Sequence, residues 1–222
     1  IVKNFIKKNE VENLIKTAQL LNKNKKANWQ PYTEGCEDFH HYDFNSKEDD
    51  ARRTKEGRKI RPRRFHIYKF LPWNYRSKVF ENIINDIVEL RNNFYSQSLN
   101  EDVINIPQIV HYERQGDFLG EHKDLDFHKK QGLSTHVEII SLLSNKNKDF
   151  FNGGLFVRTL GGKIIMIEDY TASGDLVLYD VRNAHGCLPI DSALKKDPNN
   201  ILGRWMLLIP PYKKSIHIKN HS

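Results

Sequence analysis

Two segments in the first hundred residues carry apolar side chains at intervals of three and four positions. They span residues 10–21 and 77–95, and the spacing holds from Val11 to Leu21 in the first and from Val79 to Phe94 in the second. In an α-helix this spacing gathers the apolar side chains on one face. The pattern therefore predicts two amphipathic helices, each burying one face against the rest of the protein.

The segment between these helices, residues 23–74, is rich in Asn, Asp, His, Lys and Arg and poor in apolar residues. It is too long for a simple connection, and long polar loops in compact domains are usually functional. Because the segment has too few apolar positions for a core of its own, we expect a loop region that closes over the functional site.

The sequence changes character from Ile104 onward, where short apolar runs alternate with Gly, Asn and Asp. The runs read IPQIVHYE, LSTHVEIISLLS, GGLFVRTL, KIIMIED, GDLVLYDV and RWMLLIP. Runs of this kind are typical of a β-sandwich or β-barrel, and Gly161 followed by Gly162 predicts a hairpin with a two-residue turn. We expect the helices to buttress this β-barrel-like core, with a site at the barrel mouth.

We interpret the chain as one domain of the α+β class that is mostly β. Its 222 residues, 11% of them aromatic, are enough for one well-packed core. The helical buttress and the polar loop region occupy residues 1–103. The β core occupies residues 104–212, and residues 213–222 form a tail.

The excess of positive charge is confined to one segment. The formal net charge is +7, but residues 52–69 contain nine basic residues and one acid, so the rest of the chain is close to neutral. A basic surface that would bind nucleic acid is therefore not indicated for the domain as a whole. The segment itself is open to three interpretations: a solvated loop, an anion-binding lid over the site, or a nucleic-acid patch.

The sequence also bears on the cellular compartment. No apolar run reaches the roughly 18 residues that a membrane-spanning helix requires, and the N-terminus lacks the apolar stretch of a signal peptide. Cys36 and Cys187 have no metal-binding Cys-x-x-Cys spacing and are predicted to be free thiols. We expect a cytoplasmic protein without a membrane partner, either a monomer or a homodimer.

Histidines that stand two positions before an acidic residue are the candidates for metal binding. Alternate residues of a β-strand share one face, so such a pair can hold one metal ion. We consider three such pairs as candidates, namely His41 with Asp43, His122 with Asp124, and His136 with Glu138. Pairs of this kind also arise by chance, so the surrounding sequence must distinguish them.

The sequence around the second pair is the most specific. Tyr112 begins the run YERQGDFLGEHKD, in which a strand and a glycine-containing turn lead to His122 and Asp124. An aromatic and two glycines follow in DFFNGGLFVR, then GDLVLYDVRNAHGCLP with His185, and finally GRWMLL with Arg204. This ordered set resembles the iron(II)- and 2-oxoglutarate-dependent dioxygenases, most closely their prolyl-hydroxylase-like branch. The resemblance covers residues 104–212, nearly half of the chain.

The resemblance implies a double-stranded β-helix core, of the jelly-roll or cupin-like type, with an iron site inside it. His122, Asp124 and His185 would hold iron(II) and leave open positions for 2-oxoglutarate and O2.

The resemblance also implies a binding site for the cosubstrate. Arg204 would pair with the far carboxylate of 2-oxoglutarate, because a guanidinium matches a carboxylate in shape and charge. Tyr112 would donate a hydrogen bond to the same carboxylate. The interval of 19 residues from His185 to Arg204 is longer than is usual in the family, so Arg158 remains a rival for this role.

The other acidic and histidine residues are interpreted as structural, solvent-exposed or substrate-facing rather than as metal ligands. We expect the pair His136 and Glu138 to be structural or to face the substrate, and the first pair, in the polar loop region, to be solvated. Asp126 and His128 closely follow the predicted ligands. We expect them either to hold those ligands in place by hydrogen bonds or to lie on the surface.

Substrate contacts are expected mainly from the basic segment. Arg61, Arg63 or Arg64 would meet an acidic group on the substrate, and Trp73 could either line the pocket or pack against the second helix. Arg158 is the further candidate if it does not hold 2-oxoglutarate.

The implied reaction is hydroxylation of a small metabolite or amino acid, with release of succinate and CO2. Asp124 favours hydroxylation over halogenation, because related halogenases replace this carboxylate with Gly or Ala. Desaturation and ring closure stay open as alternatives, since they use the same triad. Nucleic-acid demethylation is disfavoured, because the base-repair branch has a second Arg at the position of Pro210. The alternative is a catalytically silent β-barrel binding module that holds an anionic partner through its basic segment.

Overall fold

The structure, a computed structural model, describes residues 1–23, 63–70, 78–94, 103–130, 137–194 and 201–213. The helices in these ranges are α1 Lys8–Lys23, α2 Lys78–Phe94 and α3 Leu125–Lys130. The strands are β1 Arg63–Arg64, β2 His66–Lys69, β3 Val103–Asn105, β4 Gln108–Glu113, β5 Phe118–His122, β6 Val137–Leu142, β7 Gly154–Arg158, β8 Ile164–Met166, β9 Leu176–Asp180, β10 Ala184–Leu188, β11 Gly203–Leu208 and β12 Pro211–Lys213. A short 3-10 turn, Ile167–Asp169, follows β8.

Most of the strands form two antiparallel sheets of five strands each. The first has the order β2-β4-β11-β6-β9 and the second the order β1-β5-β10-β7-β8, while β3 and β12 pair separately. The described residues therefore form a mostly β protein with flanking helices, as the sequence predicts, and the arrangement is consistent with a jelly-roll sandwich.

Alternation of side chains along the strands of the first sheet creates two buried layers. In β4, Ile109 faces the helices and Val110 faces the second sheet. In β11, Leu207 faces the helices and Met206 faces the second sheet. Because successive side chains of a strand point to opposite faces, strands buried on both sides are apolar almost throughout. The second sheet closes the inner layer through residues such as Leu155.

The two long helices cover the outer face of the first sheet. Leu14 of α1 and Ile83 of α2 are buried in the same cluster as Ile109 and Leu207. The predicted helices at 10–21 and 77–95 are confirmed, with ends shifted by one or two residues. No helix in the described ranges is long and apolar enough to cross a membrane.

The hairpin between β7 and β8 is confirmed, but its turn is longer than predicted. Thr159 N donates to the carbonyl of Lys163, so three residues lie between this pair. Gly162 alone of the two glycines has a positive φ, +83°. This is the form of a turn followed by a glycine bulge, in which the last loop residue must be left-handed.

The end of the predicted loop region differs from expectation. Residues 63–70 form β1 and β2, which pair with β5 and β4 respectively. Ile67 is buried in the inner layer and Phe70 in the outer layer. Sheet pairing thus overrides the polar composition of the segment, because its few apolar residues fall on positions that two layers can bury.

Candidate metal centre

Two of the predicted metal ligands lie on neighbouring strands of the second sheet. His122 ends β5 and His185 lies directly opposite it on β10, with ring centroids 4.1 Å apart. The register shifts just beyond this pair, because His185 faces His122 whereas Cys187 faces Leu119. Two residues of β5 thus oppose one of β10, a bulge of the kind that often redirects a side chain beside a functional site.

The third predicted ligand completes a compact cluster. Asp124 lies two residues beyond the end of β5; its Oδ1 is 3.4 Å from His122 Nε2 and its Oδ2 is 3.0 Å from His185 Nε2. One ligand atom from each residue lies within 4.8 Å of the other two. The structure therefore brings together all three residues of the predicted triad.

Hydrogen bonds orient both imidazole rings. His122 Nδ1 lies 2.8 Å from the carbonyl oxygen of Gly120, and His185 Nδ1 lies 3.2 Å from that of Asn183. Since a carbonyl oxygen only accepts, each Nδ1 must carry the proton and donate it. Each Nε2 is left to face Asp124, the orientation in which histidines are held in metal sites.

The negative charge of Asp124 makes the cluster favourable for binding a cation. Burial alone would raise the pKa of Asp124, but hydrogen bonds from His122 and His185 outweigh it and hold that pKa well below its usual range. The carboxylate is thus anionic, and the two Nε2 atoms that donate to it would offer lone pairs once a cation replaces their protons. Two imidazoles and one carboxylate are the donor set of the facial triad that binds iron(II), so these residues fit such an ion.

The cluster opens into a cavity of about 210 Å³ between the two sheets. Its polar lining consists of Gln108, Tyr112, His122, Asp124, Glu138, Tyr179 and His185. The apolar lining consists of Phe65, Ile67, Val110, Leu119, Ile140, Leu155, Met206, Leu208 and Pro210. A larger cavity of about 510 Å³ beside α1 contains none of the predicted ligands, so the smaller one is the candidate site.

Arg204, the predicted cosubstrate ligand, is fully buried directly behind the cavity wall. Its guanidinium lies 5.3 Å from the ring centre of Tyr112, and its Nη1 is 2.9 Å from the sulfur of Met206; both of those residues line the cavity. Its Nε donates to Glu168 Oε1 at 2.5 Å, while the buried Nη2 has no hydrogen-bond partner. The arginine thus has a carboxylate partner within the protein and an Nη2 group that is not used.

Glu168 is a functional candidate that the sequence did not reveal. Its other oxygen accepts from the backbone nitrogen of Leu155 at 2.8 Å, and its side chain is 3% exposed. A side chain at Gly154 would stand 2.8 Å from that oxygen. The second glycine of the Gly-Gly motif therefore leaves room for Glu168, although the motif alone did not identify the residue that fills it.

The rival arginine lies elsewhere. Arg158 lies on the exposed side of the sheet, where it is paired with Glu121 at 2.5 Å, and it does not line the cavity. Arg63 and Arg64 form β1, the edge strand beside the His122 strand. Arg61 and Trp73 lie outside the described residues.

The remaining predicted candidates have mixed outcomes. His128 is buried and contacts Glu138, which lines the cavity. Cys187 is a buried free thiol, and burial raises its pKa to about 12. Four further candidates lie outside the described residues, namely Cys36, His41, Asp43 and His136.

The fold is similar to that of a solved enzyme. A prolyl-4-hydroxylase from Pseudomonas putida matches with a TM-score of 0.60 over 95% of this chain and 90% of that chain, at 15% identity. The two proteins share a fold. At this identity the likeness shows the fold alone, and no protein-family model or curated protein sequence matches the chain.

Two further solved structures match more weakly. EvdO2 from Micromonospora carbonacea var. aurantiaca matches at 13% identity over 75% of this chain and 81% of that chain. IDO from Bacillus thuringiensis matches at 13% identity over 90% and 95%. Their TM-scores of 0.41 are too low to support an argument.

Proposed function

We propose that this protein is an iron(II)- and 2-oxoglutarate-dependent oxygenase that hydroxylates a small metabolite or amino acid. The observation that carries the proposal is the convergence of His122, Asp124 and His185 in the lining of the cavity between the two sheets. The ordered sequence motifs that resemble the family, and the fold shared with a prolyl-4-hydroxylase, support it. The double-stranded β-helix, cupin-like form of the core is part of the same proposal.

Iron(II) would be held by the two Nε2 atoms and the Asp124 carboxylate. When bound, iron(II) and 2-oxoglutarate supply the oxidising chemistry that uses O2 and releases succinate and CO2. The protein's part is to fix the ligands, which the Nδ1 hydrogen bonds to Gly120 and Asn183 do, and to exclude water through the apolar walls.

Arg204 would bind the far carboxylate of 2-oxoglutarate through its unused Nη2 donor. Glu168 has a positioning role in this proposal, because it takes Nε and leaves the outer edge of the guanidinium for the cosubstrate. Tyr112 stacks beside the guanidinium and lines the cavity, so its hydroxyl is the second candidate donor.

The substrate would enter at the mouth of the cavity. A volume of about 210 Å³ suits a small molecule better than a folded protein, which needs a wide docking surface. The basic segment with Arg61, Arg63 and Arg64 would meet an acidic group on it, since β1 lies beside the strand of His122. A cytoplasmic location and a monomeric or homodimeric state complete the proposal.

One observation favours the alternative of a catalytically silent binding module. Arg204 already has a buried carboxylate partner and does not itself line the cavity. In that alternative the arginine would be purely structural, and the basic segment would hold an anionic partner.

Metal analysis together with a turnover assay distinguishes the two. The oxygenase should bind about one iron(II) per chain and convert 2-oxoglutarate slowly to succinate in air even without substrate, and a metabolite panel should contain compounds that accelerate this conversion. A protein that binds iron but forms no succinate with any compound would support the binding module.

A further inference from the structure

We propose that Glu138 binds a positively charged amino group of the substrate, a specificity role that rests on the proposed oxygenase function. The substrate class is then a small primary amine, such as a free amino acid, in which an ammonium group is fixed near the metal centre.

The side chain of Tyr179 lies between Glu138 and the predicted metal ligand His185. Glu138 is the register partner of Tyr179 across β6 and β9, and cross-strand partners share one face. The Tyr179 hydroxyl is in turn 3.3 Å from His185 Nε2. Glu138 also lines the same cavity but does not belong to the ligand cluster, so it faces the space where a substrate would lie.

A buried histidine holds Glu138 in place. His128 is 1% exposed, and its Nε2 lies 3.2 Å from Glu138 Oε2. His128 belongs to α3, which begins directly after Asp124. The carboxylate is therefore anchored to the element that follows the metal ligands, through one oxygen, and its other oxygen is available to a ligand.

The charge balance of the cavity favours a cationic ligand. Among the described lining residues there is no Lys or Arg, and the wall beyond the polar groups near the metal is aliphatic or aromatic. A carboxylate beside apolar walls is costly unless an opposite charge joins it. A substrate ammonium would provide that charge, while the apolar wall, including Ile140 and Leu208, would receive its hydrocarbon part.

The test compares charged and uncharged forms of the same small molecules. Binding of alkylamines and free L-amino acids to the full chain, loaded anaerobically with iron(II) and 2-oxoglutarate, is measured by calorimetry. Each amine is paired with an uncharged counterpart, the alcohol of equal length or the N-acetyl amino acid. At least one amine should bind more tightly than its counterpart by about 30-fold or more, as expected for a desolvated charge pair.

Variants then assign the preference to one residue. Glu138→Gln should remove the preference for the amine and leave the uncharged counterpart unaffected, whereas Glu138→Asp should retain it because the charge remains. Glu89→Gln, the same change at an exposed position of α2, should have no effect.

Two results would overturn the proposal: no amine in the panel binding the wild-type protein better than its counterpart, which includes no binding at all, or an unchanged preference in Glu138→Gln. The wild-type comparison does not depend on any variant folding. Iron content is recorded on the same samples, and succinate formation is recorded after they are exposed to air. Their absence contradicts the oxygenase proposal, whereas their presence without an amine preference contradicts only the role of Glu138.

Discussion

Arg204 and Glu168 form an ion pair inside the protein, with Arg204 Nε 2.5 Å from Glu168 Oε1 and both side chains almost fully buried. Burial of two charges is expensive unless they meet, and removing one partner leaves the other uncompensated. The pair therefore couples the stability of the core to the residue that we expect to bind 2-oxoglutarate.

Replacing Arg204 tests both roles at once. Arg204→Met should weaken 2-oxoglutarate binding by about 30-fold or more and should also lower the free energy of unfolding by about 3 kcal/mol or more, because Glu168 is left buried alone. The double variant Arg204→Met/Glu168→Gln should recover most of that stability without recovering the affinity. Calorimetric titration and denaturant unfolding measure the two quantities.

Arg158→Met is the matched control for this experiment. The pair of Arg158 with Glu121 is exposed, so its loss should change neither 2-oxoglutarate affinity nor stability appreciably. Loss of affinity in Arg158→Met but not in Arg204→Met would assign the cosubstrate to the rival arginine.

The metal site predicts loss of iron from either histidine variant. His122→Ala and His185→Ala should each bind iron(II) too weakly to retain it through gel filtration, because two remaining ligands do not hold this labile ion tightly. Glu121→Gln, next to His122 but paired on the outer face, should retain iron. Normal iron content and turnover in either alanine variant would contradict the triad.

The basic segment is tested by neutralising Arg61, Arg63 and Arg64 together to Gln. We expect a higher KM for the substrate and partial uncoupling of succinate formation from product, with iron and 2-oxoglutarate binding nearly unchanged. Kinetics should be measured at low ionic strength, where charge effects are largest. Unaltered substrate kinetics would return the segment to the solvated-loop interpretation.

The sequence predicted the helices that bury one face and most of the strands in the β half. The spacing from Val11 to Leu21 defined α1, and the apolar runs defined most strands of the β half. The juxtaposition of His122, Asp124 and His185 was predictable because they stand at or near strand ends within a recognisable order of motifs. β1 and β2 were missed because their pairing with β5 and β4 is a tertiary effect that composition does not report.

The partners of the site residues could not be read from the sequence. Glu168 lies 36 positions from Arg204, and Glu138 meets His128 only because α3 folds back towards β6. Such pairs depend on which strands face each other across the inner layer. A charged residue within or directly after an apolar run was the available signal, and it did not specify a partner.

A buried histidine predicts how stability depends on pH. His111 stacks on Trp205 with ring centroids 3.7 Å apart, and its Nε2 is 3.2 Å from the carbonyl oxygen of Leu202. Burial, assisted by repulsion from His66, lowers its pKa to about 3 despite opposing effects of Leu202 and Glu113. The neutral ring is thus required in the folded state.

Because the folded pKa of His111 is below the unfolded value of about 6.5, its contribution is complete above that value and is lost as pH falls towards 3. Between pH 7 and pH 5 the loss should be about 2 kcal/mol of unfolding free energy. His111→Phe should show a shallower decrease over this interval in denaturant unfolding experiments. Identical pH profiles for the two proteins would show that His111 is not the group responsible.

The most direct test of the oxygenase proposal is an anaerobic titration of the protein with iron(II) and 2-oxoglutarate, followed by visible absorption. Chelation of iron by 2-oxoglutarate at the His122, Asp124 and His185 site should produce a weak charge-transfer band that saturates at one equivalent per chain, and the band should be absent from His185→Ala. A wild-type protein that shows no such band under conditions in which it binds iron(II) would contradict the proposed function.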